Sequence, residues 1–185
     1  MLEIKPYCDA YKEDLREVCL NTAFPQAHEP KYRNYLLNSY CDYYLENEPS
    51  SCFAAVDENG VAQGYILCAP YYDKYRKLVR PYAKRAAESG FEMAVEGISE
   101  RAVLAAFSKK YPAHLHIDIN PGFQGQGTGA KLMNTLLSHL KNTGVKGVML
   151  IVSSGNKGAI RFYLKCGFRK TAQLGPGTVM TYKLR

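Results

Sequence analysis

A glycine-rich stretch two-thirds of the way along the chain, FQGQGTGAKL at residues 123–132, has the composition of a phosphate-binding loop. Three of its glycines fall within five positions, and glycine admits backbone conformations and close ligand approaches that a Cβ would forbid. Good helix-forming residues follow, so the stretch leads into a helix N-terminus, where unpaired N–H groups and a partial positive charge favour an anion. We therefore expect an anionic ligand at this loop.

Two other nucleotide-binding motifs are alternatives for the loop, and neither fits. A P-loop requires Gly-Lys followed by Ser or Thr, which is absent here. The dinucleotide pattern G-x-G-x-x-G/A is formally matched by residues 125–130, but it lies late in the chain, and no acidic residue follows it to hold a ribose hydroxyl. We therefore predict neither a P-loop nor a Rossmann domain.

Charge is divided unevenly along the sequence. All 17 acidic residues and 14 of the 24 basic residues lie at or before Asp118, so residues 1–118 carry a net charge of −3. Residues 119–185 carry ten Lys or Arg and no carboxylate side chain, a net charge of +10. An anion is therefore expected in the C-terminal third, and nucleic acid stays open as an alternative partner because basic surfaces also bind it.

Hydrophobic periodicity places the loop between a strand and a helix. Residues 114–120 alternate polar and apolar side chains, which is typical of a strand, and residues 147–153 form a continuous apolar run suited to a sheet interior. The apolar stripe that follows the loop has helical spacing. The elements predicted for this half are strands at 114–120, 147–153, 168–171 and 178–184 and helices at 127–142 and 156–165.

The N-terminal region predicts more strands and helices. Asn59-Gly60 between two apolar runs indicates a hairpin, and the tyrosine-rich segment 31–46 has one broad aromatic face that we expect in the core. The predicted elements are strands at 2–7, 51–56 and 61–70, helices at 9–22 and 31–46, and a mostly helical segment at 71–108 with a break near Gly90. This order predicts an α+β fold with a single central mixed β-sheet of six to seven strands flanked by helices.

The cysteines and histidines do not form a metal-binding pattern. The six cysteines lack a CxxC pair, and the four histidines have no zinc-like spacing beyond His114 and His116, so no metal site is predicted. The charged start, broken by Pro6, is unlike an export signal, and no apolar run is long enough to span a bilayer; we expect reduced cysteines and a cytoplasmic protein. Cys166 is not predicted to be a nucleophile because no His follows it as a base.

The glycine loop resembles the cofactor loop of the GCN5-related N-acetyltransferase (GNAT) family. Gln124-x-x-Gly127-x-Gly129 is similar to the Q/R-x-x-G-x-G/A signature with which that family holds the pyrophosphate of acetyl-CoA, and a Pro-Gly-Phe lead-in precedes it. Less specifically, YPAHLHIDI at 111–119 resembles the acetyltransferase-like domain at the C-terminus of O-GlcNAcase and its free-standing bacterial relatives.

A second motif extends the GNAT resemblance. Asn156-x-x-Ala159-x-x-x-Tyr163-x-x-x-Gly167-Phe168 is similar to the family's second cofactor motif. The two motifs cover about residues 112–170, whereas the N-terminal half agrees with the family in the order of its elements alone.

The resemblance implies the residues that would bind acetyl-CoA. Backbone N–H groups of the loop would hold the pyrophosphate, the end of the preceding strand would pair with the pantetheine amides, and Asn156 would contact pantetheine. The Tyr163 hydroxyl would lie beside the cofactor sulfur and protonate the departing thiolate, which makes Tyr163 the first catalytic candidate; a structural tyrosine is the alternative. The predicted cofactor-binding residues are Ile117, Ile119, Gln124, Gly125, Gln126, Gly127, Thr128, Gly129, Ala130, Asn156 and Tyr163.

The general base is less determined by the sequence. An amine acceptor is protonated at neutral pH and must lose a proton before it attacks the thioester. In GNAT enzymes that base lies on or near the strand before the loop, or comes from an N-terminal element; His116 and Asp118 are the candidates, with His114 behind them. If Leu115 and its apolar neighbours line the cleft instead, His116 and Asp118 are structural groups.

The resemblance implies an N-acetyltransferase that moves an acetyl group from acetyl-CoA to an amine by direct transfer in a ternary complex, without a metal. The alternative is a non-catalytic acyl-CoA-binding or partner-recognition module with the same fold.

One domain is expected over 1–185, with an acceptor-side half at 1–111, an acetyl-CoA-binding core at 112–170 and a closing strand at 171–185. An unidentified amine is the expected substrate, with Asp42, Glu46 and Glu48 as acids that would favour a cation. Neither a membrane nor a nucleic acid is an expected partner, and a homodimer is left open.

Overall fold

In a computed structural model of the protein, residues 2–185 form seven β-strands and eight α-helices. Met1, the first residue of the predicted domain, lies outside the described residues. The strands are β1 (Glu3–Pro6), β2 (Phe53–Val56), β3 (Ala62–Ala69), β4 (Ala113–Ile119), β5 (Gly147–Ser153), β6 (Arg169–Leu174) and β7 (Gly177–Lys183). The helices are α1 (Lys12–Asn21), α2 (Pro30–Tyr40), α3 (Asp42–Asn47), α4 (Tyr72–Leu78), α5 (Arg80–Ala87), α6 (Phe91–Phe107), α7 (Thr128–Asn142) and α8 (Lys157–Lys165).

The strands form one mixed sheet in the order β1-β2-β3-β4-β5-β7-β6. All neighbouring pairs are antiparallel except β4 and β5, which are parallel and are connected through α7. The predicted α+β fold with a single central mixed sheet is therefore confirmed, with seven strands.

The central pair β4 and β5 separates soon after it begins. Its partners are Ala113 with Val148 and His114 with Met149, and these two strands do not pair beyond that point. On its other edge, β4 pairs with β3 along 114–119. The sheet therefore opens between β4 and β5 on the side where α7 and α8 begin.

Two apolar clusters cover the two faces of the sheet, because side chains alternate in direction along each strand. Helices α1 to α6 pack on one face, where Leu15 and Tyr43 are fully buried. Helices α7 and α8 pack on the other, where Leu132 and Leu136 are fully buried against β-strand residues. We call these the α1–α6 face and the α7/α8 face.

The predicted elements differ from the structure mainly in helix breaks. The helix predicted at 9–22 begins with a 3-10 turn, Asp9–Tyr11. The helix predicted at 31–46 is two helices, because Cys41 leaves helical geometry (φ −132°, ψ −69°). The segment 71–108 contains three helices; Pro81 in the first turn of α5 cannot continue α4, and Gly90 (φ +139°) separates α5 from α6. Within residues 2–185, no helix combines the length and apolar character needed to cross a membrane.

Candidate active site

The glycine-rich loop leads from β4 into α7 with its backbone exposed to a cavity. Gly125 (φ +78°) and Gly127 (φ +79°) adopt left-handed conformations, and a Cβ at either would meet no atom of the described chain within 4 Å. These glycines are therefore required by backbone geometry rather than by neighbouring atoms. The Gln124 side chain holds the loop to β4, since its Nε2 donates a 2.7 Å hydrogen bond to the Ile119 carbonyl.

Gly129 serves a different purpose from the other two glycines. It lies in the first turn of α7, and a Cβ there would approach Phe162 Cε2 to 3.2 Å and Cζ to 3.3 Å. Gly129 therefore lets α7 and α8 approach each other closely, which sets the width of the cavity between them.

Asn156 and Tyr163 lie at the start and in the body of α8. Asn156 Oδ1 accepts a 2.9 Å hydrogen bond from the backbone N–H of Ala159, so it caps the helix. Tyr163 is 8% exposed and packs against Phe162 and Phe168. The two residues are seven positions apart and line the same cavity.

This cavity, of about 690 Å³, joins the glycine loop, the separated end of β4 and helix α8. We call it the loop cavity. Of the predicted cofactor-binding residues, Gln126 and Thr128 do not line it, and Thr128 is buried. Among residues 2–185, Lys165 is its one lining cation, so most of the basic residues of the C-terminal third lie elsewhere. Its lining residues are Thr22, Ile117, Asp118, Ile119, Gln124, Gly125, Gly127, Gly129, Ala130, Asn156, Gly158, Ala159, Phe162, Tyr163 and Lys165.

Alternate residues of β4 direct their backbone N–H and C=O groups into the gap between β4 and β5. The Asn120 N–H donates to the Gln63 carbonyl at 2.9 Å, so alternate residues of β4 direct their backbone groups toward β3. Ile117 and Ile119 therefore direct theirs toward the gap, where β5 does not pair with them. Their apolar side chains pack on the α7/α8 face.

Asp118 is held beside the loop cavity by Tyr65. The Tyr65 hydroxyl donates a 2.7 Å hydrogen bond to Asp118 Oδ2. Burial raises the pKa of Asp118 to about 6, against the opposing effect of hydrogen bonds from Tyr65 and Thr22. Near neutral pH this carboxylate is charged but accepts a proton more readily than an exposed aspartate does.

His116 and His114 lie on the α1–α6 face of β4 among tyrosines. His116 Nε2 shares a 3.0 Å hydrogen bond with the Tyr44 hydroxyl, and burial lowers the pKa of His116 to about 4. The His114 ring is 4.4 Å from that of Tyr75, and its Nε2 has no hydrogen-bond partner among residues 2–185. Burial, with the neighbouring His116, lowers the pKa of His114 to about 3. Both rings are therefore neutral at pH 7.

Tyr163 and Cys166 both hold their protons strongly. Burial raises the pKa of Tyr163 well above its usual value, with a further contribution from the charge of Asp118. Burial also raises the pKa of Cys166, whereas a nucleophilic thiol needs a lowered pKa. The Tyr163 hydroxyl is therefore protonated at neutral pH, and Cys166 is not an activated thiol.

A second cavity, of about 700 Å³, opens on the α1–α6 face next to His116. We call it the α6 cavity. Sequence reasoning did not anticipate it, since residues of α6 carry no local motif. Its lining residues are Tyr40, Glu96, Ser99, Glu100, Val103, His116, Ile151, Ser153, Leu174, Gly175, Pro176, Gly177 and Val179.

Residues 13–168, most of the 185-residue chain, match the sequence profile of the Acetyltransferase (GNAT) family. The chain belongs to this family. An uncharacterised N-acetyltransferase of Methanocaldococcus jannaschii is 33% identical to this GNAT protein over 111 residues, 54% of this chain and 49% of that protein. The chain spans about half the length of this curated relative.

Solved structures support the assignment to the GNAT fold. The crystal structure of a protein called SsHAT superimposes with a TM-score of 0.86 and 29% identity, over 100% of this chain and 98% of that one. The PaiA N-acetyltransferase of Thermoplasma acidophilum, solved in complex with coenzyme A, superimposes with a TM-score of 0.64 over 99% of each chain. At 16% identity, the similarity to the PaiA structure shows a shared fold alone.

The acids Asp42, Glu46 and Glu48 form ion pairs with Arg16, Lys12 and Lys74 at 3.2, 2.9 and 2.8 Å, so they belong to the packing of the N-terminal helices. Among residues 2–185, no three His, Cys, Asp or Glu side chains are grouped to hold a metal ion.

Proposed function

We propose that this GNAT protein transfers an acetyl group from acetyl-CoA to an amine by direct attack in a ternary complex. One observation carries the proposal: a single cavity joins the glycine loop at the start of α7, the unpaired edge of β4 and Tyr163. These three features match the three parts of acetyl-CoA that need recognition: the pyrophosphate, the pantetheine amides and the thioester sulfur.

The cosubstrate fits the loop cavity by its chemistry. The left-handed glycines 125 and 127 expose N–H groups at the N-terminus of α7, and such groups bind phosphate oxygens. The backbone groups of Ile117 and the N–H of Ile119, whose carbonyl is bonded to Gln124, can pair with the pantetheine amides as a strand would. The Nδ2 group of Asn156 stays available to the ligand because its Oδ1 caps α8.

We assign the base role to Asp118 rather than to His116. The base must remove a proton from the ammonium group before its nitrogen attacks the thioester carbonyl carbon. Asp118 lines the loop cavity and has a pKa of about 6, whereas His116, with a pKa of about 4, is a weaker base and is engaged by Tyr44. Asp118 then releases the proton to solvent.

We assign the acid role to Tyr163. When the carbon–sulfur bond breaks, the thiolate of CoA needs a proton. Tyr163, which lines the loop cavity and is protonated at neutral pH, donates that proton from its hydroxyl and regains one from the acetylated nitrogen through solvent. The products are the amide and free CoA, and no covalent acetyl-enzyme forms.

The proposal is tested by following thiol release from acetyl-CoA across a panel of amines, with intact-mass measurement of the acceptor and the protein. Acetyltransfer requires release that depends on the amine and equals the acetylated product, with the protein mass unchanged. A non-catalytic module would bind acetyl-CoA without amine-dependent release. DNA or RNA that displaces acetyl-CoA at physiological salt would favour the nucleic-acid alternative.

A further inference from the structure

The α6 cavity lies next to the loop cavity along β4. His116 lines it, and the next residues along β4, Ile117 and Asp118, line the loop cavity. Ile151 and Ser153 of β5 form another wall, beyond the point where β4 and β5 stop pairing. The two cavities therefore adjoin the same gap in the sheet, and an acceptor in the α6 cavity could reach a thioester placed in that gap.

The α6 cavity has an acidic lining. Glu96 and Glu100 of α6 lie one helical turn apart, and no Lys or Arg of residues 2–185 lines the cavity. Its one histidine, His116, is neutral at pH 7 because of its lowered pKa. This acidic lining contrasts with the chain's net charge of +7, and the apolar walls, such as Val103 and Ile151, suit an alkyl chain.

No ion pair found within residues 2–185 includes Glu96 or Glu100. Burial and the charge of Glu96 raise the pKa of Glu100 to about 7, although Tyr40 and Arg101 act in the opposite direction. A positively charged ligand would relieve this imbalance.

We propose that the α6 cavity is the acceptor site, and that it selects a short aliphatic diamine. This inference rests on the proposed function. The reacting amine lies between Glu100, which is half-buried, and the gap between β4 and β5, where Asp118 accepts its proton, and the second ammonium lies near Glu96, which is exposed. The two carboxylates are about 5–6 Å apart at their Cβ atoms, as expected for positions i and i+4, so an alkyl chain of a few methylenes joins the two charges.

The same arrangement disfavours acceptors that carry a carboxylate. A free amino acid would bring its own negative charge beside Glu96 or Glu100, and no lining cation from residues 2–185 would compensate it. A lysine side chain in a peptide supplies one ammonium, without a second charge at a fixed distance.

The test uses three probes with the same four-carbon chain: diaminobutane, butylamine and aminobutyrate, which end in a cation, a methyl group and an anion. Thiol release from acetyl-CoA gives kcat/KM for each. We expect diaminobutane to be used most efficiently and aminobutyrate least. The variant Glu96→Gln should reduce the preference for diaminobutane over butylamine about fivefold, as for an exposed ion pair. Glu92→Gln, one turn earlier on α6 and outside the cavity, should retain the preference.

Glu100→Gln should lower kcat/KM for both amines, with thermal unfolding recorded to confirm that the variant is folded. Equal kcat/KM for the three probes, a preference for aminobutyrate, or an equal effect of Glu92→Gln and Glu96→Gln would overturn the inference. Turnover of a lysine peptide but of none of the probes would also overturn it, while leaving the proposed function intact. Absence of acetyl-CoA binding would instead refute the proposed function, and this inference with it.

Discussion

Tyr65 and Asp118 face each other on β3 and β4 and are joined by a 2.7 Å hydrogen bond from the tyrosine hydroxyl to the carboxylate. Tyr65 is fully buried, whereas Asp118 reaches the loop cavity. The contact fixes the orientation of the carboxylate and favours its charged form, against the burial that raises its pKa to about 6. The pair therefore controls both where the proposed base lies and at which pH it works.

Asp118→Asn should lower kcat by about a hundredfold or more, because a general base contributes about 10²–10⁴-fold. The same variant should be more stable than the native protein at pH 7–8, since the raised pKa means that the folded state favours the neutral carboxyl. In the native protein this stabilisation is present below pH 4 and is lost as the pH rises through 6. The neutral amide of the variant avoids that loss, so its free energy of unfolding at pH 7 should be higher by about 1–3 kcal/mol. Denaturant unfolding at pH 4 and pH 7 measures it.

Tyr65→Phe provides the matched test of pH dependence. A base acts when deprotonated, so native kcat/KM should fall below pH 6. Removing the Tyr65 hydroxyl removes a hydrogen bond that lowers the pKa of Asp118, and the acidic limb should move to higher pH. If the acidic limb of the pH profile of kcat/KM is unchanged in Tyr65→Phe, or is still present in Asp118→Asn, another residue is the base.

Tyr163→Phe should lower kcat about tenfold or more while changing the KM for acetyl-CoA little, because the ring still packs against Phe168 and the proton donor alone is lost. Tyr182→Phe is the control, since Tyr182 packs against Phe168 but does not line the loop cavity. Equal activity of both variants across the pH range would remove Tyr163 from the mechanism.

Gly127→Ala and Gly60→Ala form a matched pair for the phosphate-binding role of the loop. Both glycines have φ near +80°, and a Cβ at either would have no described atom within 4 Å, so both variants should lose about 1 kcal/mol of stability. Gly60 lies in the β2–β3 turn, and Gly127 lines the loop cavity. Calorimetry should show weaker acetyl-CoA binding for Gly127→Ala alone. Equal affinities of the two variants would contradict binding of the pyrophosphate by the loop.

His114→Phe should reduce the sensitivity of folding to acid. The folded-state pKa of His114 is lowered to about 3, so the unfolded chain binds more protons below pH 6.5, and native stability falls as the pH falls toward 3. The residue accounts for about 2 kcal/mol of lost stability between pH 6.5 and pH 5. Unfolding free energies at those two pH values test this, with His28→Phe at an exposed position as the control. An identical loss in native protein and His114→Phe would contradict it.

The C-terminal half of the fold was predictable because its signals are local. Alternation along β4, the glycines before α7 and the apolar run of β5 each report on neighbouring residues, and the structure places these three elements within a residue of the prediction, whereas the strand predicted at 168–171 extends to Leu174. In the N-terminal half, Pro81 was an available signal for the break between α4 and α5. The break at Cys41 had no such signal, since neither Pro nor Gly stands between α2 and α3.

The surroundings of the site were less predictable because they depend on contacts distant in sequence. Tyr65 lies 53 residues before its partner Asp118, and Tyr44 lies 72 residues before His116. Periodicity identified the two faces of β4, but not which helices cover each of them. Glu96 and Glu100 lie on α6 without a motif, and their position beside His116 follows from the path of the chain alone.

Calorimetric titration of acetyl-CoA into the purified protein decides whether the loop cavity binds this cosubstrate, on which every proposed step depends. We expect one saturable binding event per chain, accompanied by a rise in the thermal unfolding temperature, because a ligand that binds the native state stabilises it. The affinity should decrease in Gly127→Ala and persist in Asp118→Asn. The absence of both binding heat and a thermal shift with acetyl-CoA would contradict the proposed acetyltransfer.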